Sequence, residues 1–155
     1  MVATPAKPLP SWLEGKKLNK IEQNKANKDG LLVGSEIEEF ARVGWENVDE
    51  TDLQLRLKWY GMFWRPKTPG LFMLRLRVPN GVLNAEQLRA IGSIVARYGD
   101  SGSADITTRQ NIQLRGVLLE DLPDILERLK AVGLNTIQSA FDNPRNVTGN
   151  PIAGI

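Results

Sequence analysis

From Ala104 to Val117 the chain reads Ala-Asp-Ile-Thr-Thr-Arg-Gln-Asn-Ile-Gln-Leu-Arg-Gly-Val, and the odd positions Asp105, Thr107, Arg109, Asn111, Gln113 and Arg115 are all polar. On extended backbone successive side chains face opposite ways, so this is a polar face backed by Ala104, Ile106, Ile112, Leu114 and, just beyond, Leu118. The stretch predicts two strands or one bent strand, since at about 3.3 Å per residue Arg109 and Arg115 would otherwise lie roughly 20 Å apart. Leu71 to Val78 alternates as well, with Phe72, Leu74, Leu76 and Val78 on one face and Leu71, Met73, Arg75 and Arg77 on the other. Leu53 to Lys58, Leu-Gln-Leu-Arg-Leu-Lys, alternates cleanly and predicts a third strand. Between them, Trp59 to Gly70 carries Gly61, Pro66, Pro69 and Gly70 and predicts loop. Pro79-Asn80-Gly81 predicts a turn.

Helical spacing appears elsewhere. Asn84, with Gln87 three residues on, predicts a capped helix whose stripe is Ala85, Leu88, Ile91 or Gly92, Val95 and Tyr98, ended by Gly99. Asp121 and Pro123 open a second helix with Leu122, Ile125, Leu126, Leu129 and Val132 on one face, stopped by Gly133. Leu134 to Ile137 predicts a short strand. Earlier, Leu18 to Lys28 predicts an exposed helix ending near Asp29-Gly30. Ser35, followed by Glu38, predicts a cap for a small helix to Val43. Trp12, Trp45, Trp59 and Trp64 are expected to anchor this irregular region.

The order from Leu71 is strand, helix, one or two strands, helix, strand. That predicts an α+β fold: a ferredoxin-like sandwich, an antiparallel sheet with helices on one face, preceded by an irregular, partly helical N-terminal extension. Residues 1–10, with their prolines, are expected to be a disordered lead-in. Residues 11–70 form the extension, and 71–138 the sandwich. Residues 139–155, rich in Asn, Pro and Gly around Arg145, fit neither helix nor strand. They read as a functional loop or a flexible tail.

Charge sharpens the picture. The formal net charge of +2 does not by itself indicate nucleic acid. Its distribution is uneven: Glu36 to Asp52 is acidic apart from Arg42, whereas Leu53 to Ala85 has no acid and contains Arg56, Lys58, Arg65, Lys67, Arg75 and Arg77. The odd face of the central stretch carries arginines with amides and hydroxyls, and guanidinium forks hold carboxylates in parallel hydrogen bonds. It therefore fits a planar anionic ligand, and it fits a solvated strand equally. No run approaches transmembrane length, and nothing resembles a signal or an Arg- and Ser-rich transit segment. Cys and His are both absent, which excludes thiolate ligation, a Cys nucleophile and a histidine acid or base. No metal ligand is expected from this chain.

Several segments together carry a resemblance. They are Leu55-Arg-Leu-Lys-Trp59, Phe72-Met-Leu-Arg-Leu-Arg-Val-Pro-Asn-Gly81, Thr107-Thr-Arg-Gln-Asn-Ile-Gln113, Asp142-Asn-Pro-Arg-Asn146 and Gly149-Asn-Pro-Ile-Ala-Gly154. In order and spacing they resemble the nitrite/sulfite reductase sirohaem family, and its ferredoxin-dependent nitrite reductases in particular. The resemblance implies a parent that reduces nitrite to ammonia by six electrons at a sirohaem coupled to a 4Fe-4S cluster, with reduced ferredoxin as donor. It implies the cyanobacterial cytoplasm or the chloroplast stroma. It also implies that Arg75 and Arg145 face the anion on the sirohaem iron, as the catalytic pair. Thr107, Thr108, Arg109 and Gln110 would hold sirohaem carboxylates, with Gln113 and Arg115 beside them. Arg77, Asn143 and Asn146 complete the expected cofactor-binding set.

The family's cluster-ligating cysteines lie in a C-terminal portion that these residues do not include. Residues 139–155 are then expected to begin the sirohaem-binding domain, and the 155-residue chain alone is expected to be inactive. The missing C-terminal half is itself an expected partner, and neither nucleic acid nor a membrane span is expected. Two other readings remain: a portion of a sulfite reductase, and a non-catalytic ferredoxin-like binding module of the RNA-recognition kind. The latter stacks bases on sheet aromatics, where this sheet offers Arg, Asn and Gln. Arg65 and Lys67 are candidates for docking an acidic ferredoxin.

Overall fold

A computed structural model describes residue 11 and residues 15–152. The expected lead-in and Trp12 lie outside the described residues. Five α-helices and four strands are present among them: α1 Lys20–Asn27, α2 Ile37–Val43, α3 Glu50–Gln54, β1 Met62–Phe63, β2 Phe72–Leu76, α4 Ala85–Tyr98, β3 Ala104–Ile106, β4 Ile112–Val117 and α5 Leu122–Ala131. Short 3-10 turns link them, notably Gly30–Ser35 and Arg56–Tyr60. The fold is α+β, one four-stranded antiparallel sheet in the order β1-β2-β4-β3 with helices packed on it.

The central stretch is two strands, not one bent strand. β3 and β4 pair with Asp105 opposite Gln113, and the turn between them is closed at Thr107. Thr107 N–H donates to the Asn111 carbonyl at 2.9 Å, and its Oγ1 accepts from Asn111 N–H at 3.1 Å. The segment after α5 meets β2 by a single bridge, Arg77 with Asn135, rather than as a strand. β1 and this bridge share the same outer edge of β2, so the sheet core keeps the ferredoxin-like order.

The alternation holds through most of the sheet. Leu74, Leu76, Ile112 and Leu114 are buried, and they share one hydrophobic core with Ile91, Ile94, Val95 and Tyr98 of α4 and Leu122, Ile125 and Leu129 of α5. Past Gly116, at φ +73°, the strand turns over. Val117 is therefore buried and Leu118 exposed, the reverse of the parity expected for Leu118. Ile106, expected inside, is 83% exposed, because β3 is the sheet edge and its three residues are all exposed. The capping box of α4 forms as expected, Asn84 Oδ1 accepting from Gln87 N–H at 2.8 Å and Gln87 Oε1 from Asn84 N–H at 3.0 Å. Its buried stripe runs through Ile91, Ile94, Val95 and Tyr98, while Leu88 lies on the wet side.

The strand expected over Leu53–Lys58 does not exist. Those residues finish α3 and form the Arg56–Tyr60 turn. Leu53 and Leu57, four apart, are the buried pair, and Asp52 bonds Arg56 across the same helical spacing at 2.7 Å. Leu-x-Leu-x-Leu fits either period, and the i, i+4 ion pair decides it. Met62–Phe63, expected as loop, is strand β1. Ser35 is not a cap: its hydroxyl donates to the Leu32 carbonyl, and α2 starts without a side-chain cap bond. The polar helix is placed as expected, with Asn19 capping α1. Trp45 packs near Trp64, and buried Trp59 lies 4.4 Å, centroid to centroid, from Phe141.

Candidate functional site

β2 and β4 lie side by side with Arg75 opposite Gln113, so both side chains stand on the sheet face away from Leu74 and Leu114. Arg75 is half-buried. Its Nη1 donates to the Ser139 carbonyl at 3.1 Å, and its guanidinium carbon lies 4.8 Å from the Phe63 ring centre. The Gln113 carboxamide turns its oxygen to Arg75, since its nitrogen would there face only donors. That oxygen accepts from Arg75 Nε and Nη2, both at 2.9 Å. Burial lowers the Arg75 pKa from its ordinary value, and the charges of Arg145 and Arg109 push it the same way. The guanidiniums of Arg145 and Arg109 are thus each near enough for their charge to act on Arg75.

Neither Arg109 nor Arg145 makes an ion pair within 4.0 Å among the described residues. Both are exposed. The adjacent acids are engaged elsewhere, Asp105 with Arg115 at 2.8 Å and Asp142 with Lys25 at 2.5 Å. Like charges brought together without a carboxylate repel, and an anion or a carboxylate-bearing ligand relieves that repulsion. The surface is a cationic face with open donors.

The other expected residues fall into two groups. Arg77, Gln110, Asn143 and Asn146 bond backbone, and all but Asn143 tie the 138–150 segment onto the sheet. Arg77 donates from Nη2 to the Gln138 and Pro144 carbonyls at 2.7 and 2.5 Å, and from Nε to the Arg145 carbonyl at 3.3 Å. Asn146 Nδ2 reaches the Val78 and Arg109 carbonyls, both at 2.8 Å. Gln110, at φ +59°, exchanges two 3.0 Å bonds with the Gly149 backbone. A side chain at Gly149 would put its Cβ 1.5 Å from Asn80 Oδ1, so the Asn80 side chain would have to move to admit it. Asn143 Nδ2 donates to the Ala140 carbonyl at 3.2 Å.

In the second group, Thr107 is spent on closing the β3–β4 turn. Thr108 is exposed without a side-chain bond among the described residues, and Arg115 is ion-paired to Asp105. Arg115 shares the sheet face with Arg75 but carries its own counter-charge.

Asn111, outside the candidate set, is 1% exposed; it accepts from Val78 N–H and donates to the Arg145 carbonyl. It joins both strands to the arginine loop, and its signal is its place in the polar alternation. Lys58 is a second residue outside the candidate set: burial lowers its pKa from the ordinary value, and it has no ion pair among the described residues. Arg56, by contrast, is withdrawn into a buried pair with Asp52, so the acid-free run after Leu53 is not a uniform basic surface.

Residues 65–132 match the nitrite/sulfite reductase ferredoxin-like half domain. The chain is 59% identical over 139 residues to a ferredoxin–nitrite reductase of Synechococcus elongatus, covering 90% of this chain and 27% of that protein. It is 46% identical over 146 residues to the chloroplastic ferredoxin–nitrite reductase of Spinacia oleracea, covering 89% and 25%. The solved structure of the NirA protein of Mycobacterium tuberculosis superposes with a TM-score of 0.82 at 34% identity, over 92% of this chain and 30% of that one. The chain spans about a quarter of the length of the curated relatives it matches.

Proposed function

From the premise that residues 65–132 form a nitrite/sulfite reductase ferredoxin-like half domain and the chain matches the N-terminal portion of ferredoxin–nitrite reductases, we propose that it supplies the cationic half of a sirohaem and nitrite site. The observation that carries this reading is the carboxylate-free cluster of Arg75, Arg109 and Arg145. Its donor set fits the group. A macrocycle ringed by carboxylates needs several forked cations on one face, and the open side of this sheet offers them.

Arg109 and Thr108, both exposed at the β3–β4 turn, and the outward amide of Gln113 would hold the cofactor's carboxylates. Arg75 and Arg145 would hold the anion. Sirohaem, when bound, would supply the redox chemistry; with no cysteine here, the ligands of a coupled 4Fe-4S cluster would lie outside these residues. The Arg75 guanidinium, oriented by Gln113 and the Ser139 carbonyl before the anion arrives, would stabilise it and whatever negative charge develops on it, and exposed Arg145 would add a second charge. These residues contain no histidine, so any proton they pass to the anion would go through cationic side chains and the water they order. Alone, the 155 residues then bind an anion and turn nothing over.

Reduced ferredoxin is the donor in this reading, docking through exposed Arg65 and Lys67 in the cytoplasm of a cyanobacterial-type cell or in a plastid. The test is a kinetic comparison in the full-length protein. Arg75→Ala and Arg145→Ala each lower kcat/KM for nitrite by about a hundredfold, as expected for loss of a charged contact of roughly 2.7 kcal/mol. Unchanged kcat/KM in both removes the proposal. Sulfite assayed beside nitrite decides which anion the site prefers.

A further inference from the structure

Three side chains form a row across the sheet on its open face: Arg75 on β2, Gln113 on β4 and Asp105 on β3. The carboxylate of that row does not bond Arg75. It is turned to Arg115, at 2.8 Å, and the neutral amide stands between them. A guanidinium has five N–H donors. At Arg75, Gln113 takes one from Nε and one from Nη2, and the Ser139 carbonyl takes one from Nη1. One donor stays open on each terminal nitrogen, while the Phe63 ring supports the plane of the group. The side chain is fixed from the edge and from one face.

What fixes it is uncharged at every point. Elsewhere among the described residues Arg56 meets Asp52, Arg42 meets Glu39, Arg115 meets Asp105 and Arg128 meets Asp124, while Arg77 is held by backbone carbonyls that leave it no open fork of the kind Arg75 keeps. We infer that Gln113 is a positioning residue for Arg75, and that its neutrality leaves the full guanidinium charge for a bound oxyanion. The inference rests on the proposed anion site and adds to it a determinant of affinity. It also gives Gln113 two faces, since an oxygen committed to Arg75 turns the amide N–H groups outward as donors.

Geometry and charge separate in two variants. Gln113→Glu keeps both acceptor bonds and adds a negative charge; Gln113→Ala removes the bonds and leaves the charge alone. Nitrite affinity is measured by calorimetric titration of the sirohaem-loaded full-length protein, with Arg75→Ala as reference. The expected order is wild type tightest, Gln113→Ala weaker by about threefold, and Gln113→Glu weaker by at least about tenfold, because an internal counter-ion competes directly with the ligand.

A role limited to orientation predicts the opposite order, with Gln113→Glu near wild type, and that order overturns the inference. Equal affinity in all three forms at position 113 overturns it too. If Arg75→Ala itself binds nitrite as tightly as wild type, the anion site is what has failed. The carboxylate introduced by Gln113→Glu would stand opposite Asp105 and can unsettle the sheet, so a measurement on the wild-type protein stands beside the titration. In side-chain NMR of that protein the Arg75 Nε–H exchanges at least about tenfold more slowly than that of exposed Arg89, as for a hydrogen-bonded against a free donor. Equal exchange rates overturn the inference without any substitution.

Discussion

Arg56 and Arg75 are both withdrawn from water, and they meet opposite company. Arg56, 8% exposed, is held in the N-terminal region by Asp52, which also takes a 2.8 Å bond from Lys28; Lys28 in turn bonds Glu36. Four charges cancel there, and the cluster pins α1, α2 and α3 to one another. Arg75, on the sheet, is held by an amide, a carbonyl and an aromatic ring, and its charged neighbours are the arginines Arg145 and Arg109. The first arrangement spends charge on assembling the fold. The second leaves charge unspent, at a cost in repulsion that the proposed anion would relieve. Arginine count or local basicity does not separate the two regions; the company each guanidinium keeps does.

The largest effect belongs to the cancelled cluster. Asp52→Ala leaves Arg56 and Lys28 partly buried without their shared carboxylate, and chemical unfolding is expected to show a loss of about 3–5 kcal/mol. A loss under about 1 kcal/mol would erase the contrast between the regions. Next comes the clasp on the arginine loop. Arg77→Ala removes three bonds to the Gln138, Pro144 and Arg145 carbonyls, and hydrogen exchange at the Asn80 and Gly149 amides, which bond Val147 and Gln110, should quicken by about tenfold to a hundredfold, or roughly 1.4–2.7 kcal/mol. Unchanged protection there means that Arg77 does not hold the segment.

Arg115 sharpens the comparison from within the sheet. It faces the same way as Arg75 but is exposed and paired to Asp105, so Arg115→Ala should cost under about 1 kcal/mol of stability and leave nitrite affinity unchanged. A weakened affinity equal to that of Arg75→Ala would mean that a counter-charge does not disqualify a guanidinium.

The smallest effect is a pH dependence. Burial opposes the charge on Lys28, but its bonds to Asp52 and Glu36 prevail and raise its pKa above the ordinary 10.5. Its contribution is complete below 10.5 and fades as pH climbs through the raised value. Burial alone lowers the Lys58 pKa, with the reverse sign: stability gains as pH rises from that lowered value toward 10.5. Alkaline unfolding curves of Lys28→Met and Lys58→Met should therefore bend in opposite directions relative to wild type.

Much of this was legible in the chain itself. Two helices, a capping box and the strand alternation around Leu74 and Leu114 give the ferredoxin-like order, because each pattern is long enough to have only one period. Leu53–Lys58 misled because three leucines at alternate positions satisfy a short helix as well, and only the Asp52–Arg56 contact separates the two. Leu118 misled because Gly116 reverses the parity, which a residue list does not announce.

At the site, the arginines were legible and their partners were not. Nothing in the one-dimensional pattern tells Arg77, clasping carbonyls, from Arg75, left partly open. Nor does it show that Asn146, Gln110 and Asn111 spend their amides on backbone. Those assignments depend on where residues 138–150 return to the sheet, a contact between segments far apart in sequence.

The central claim is that Arg75, Arg109 and Arg145 form one face for a carboxylate-rich cofactor and its anion. A structure of the sirohaem-loaded, nitrite-bound full-length protein tests it most directly. The account predicts nitrite within about 3 Å of guanidinium nitrogens of both Arg75 and Arg145, and a cofactor carboxylate at a similar distance from Arg109. A cofactor seated elsewhere, with these three guanidiniums turned to solvent, contradicts it.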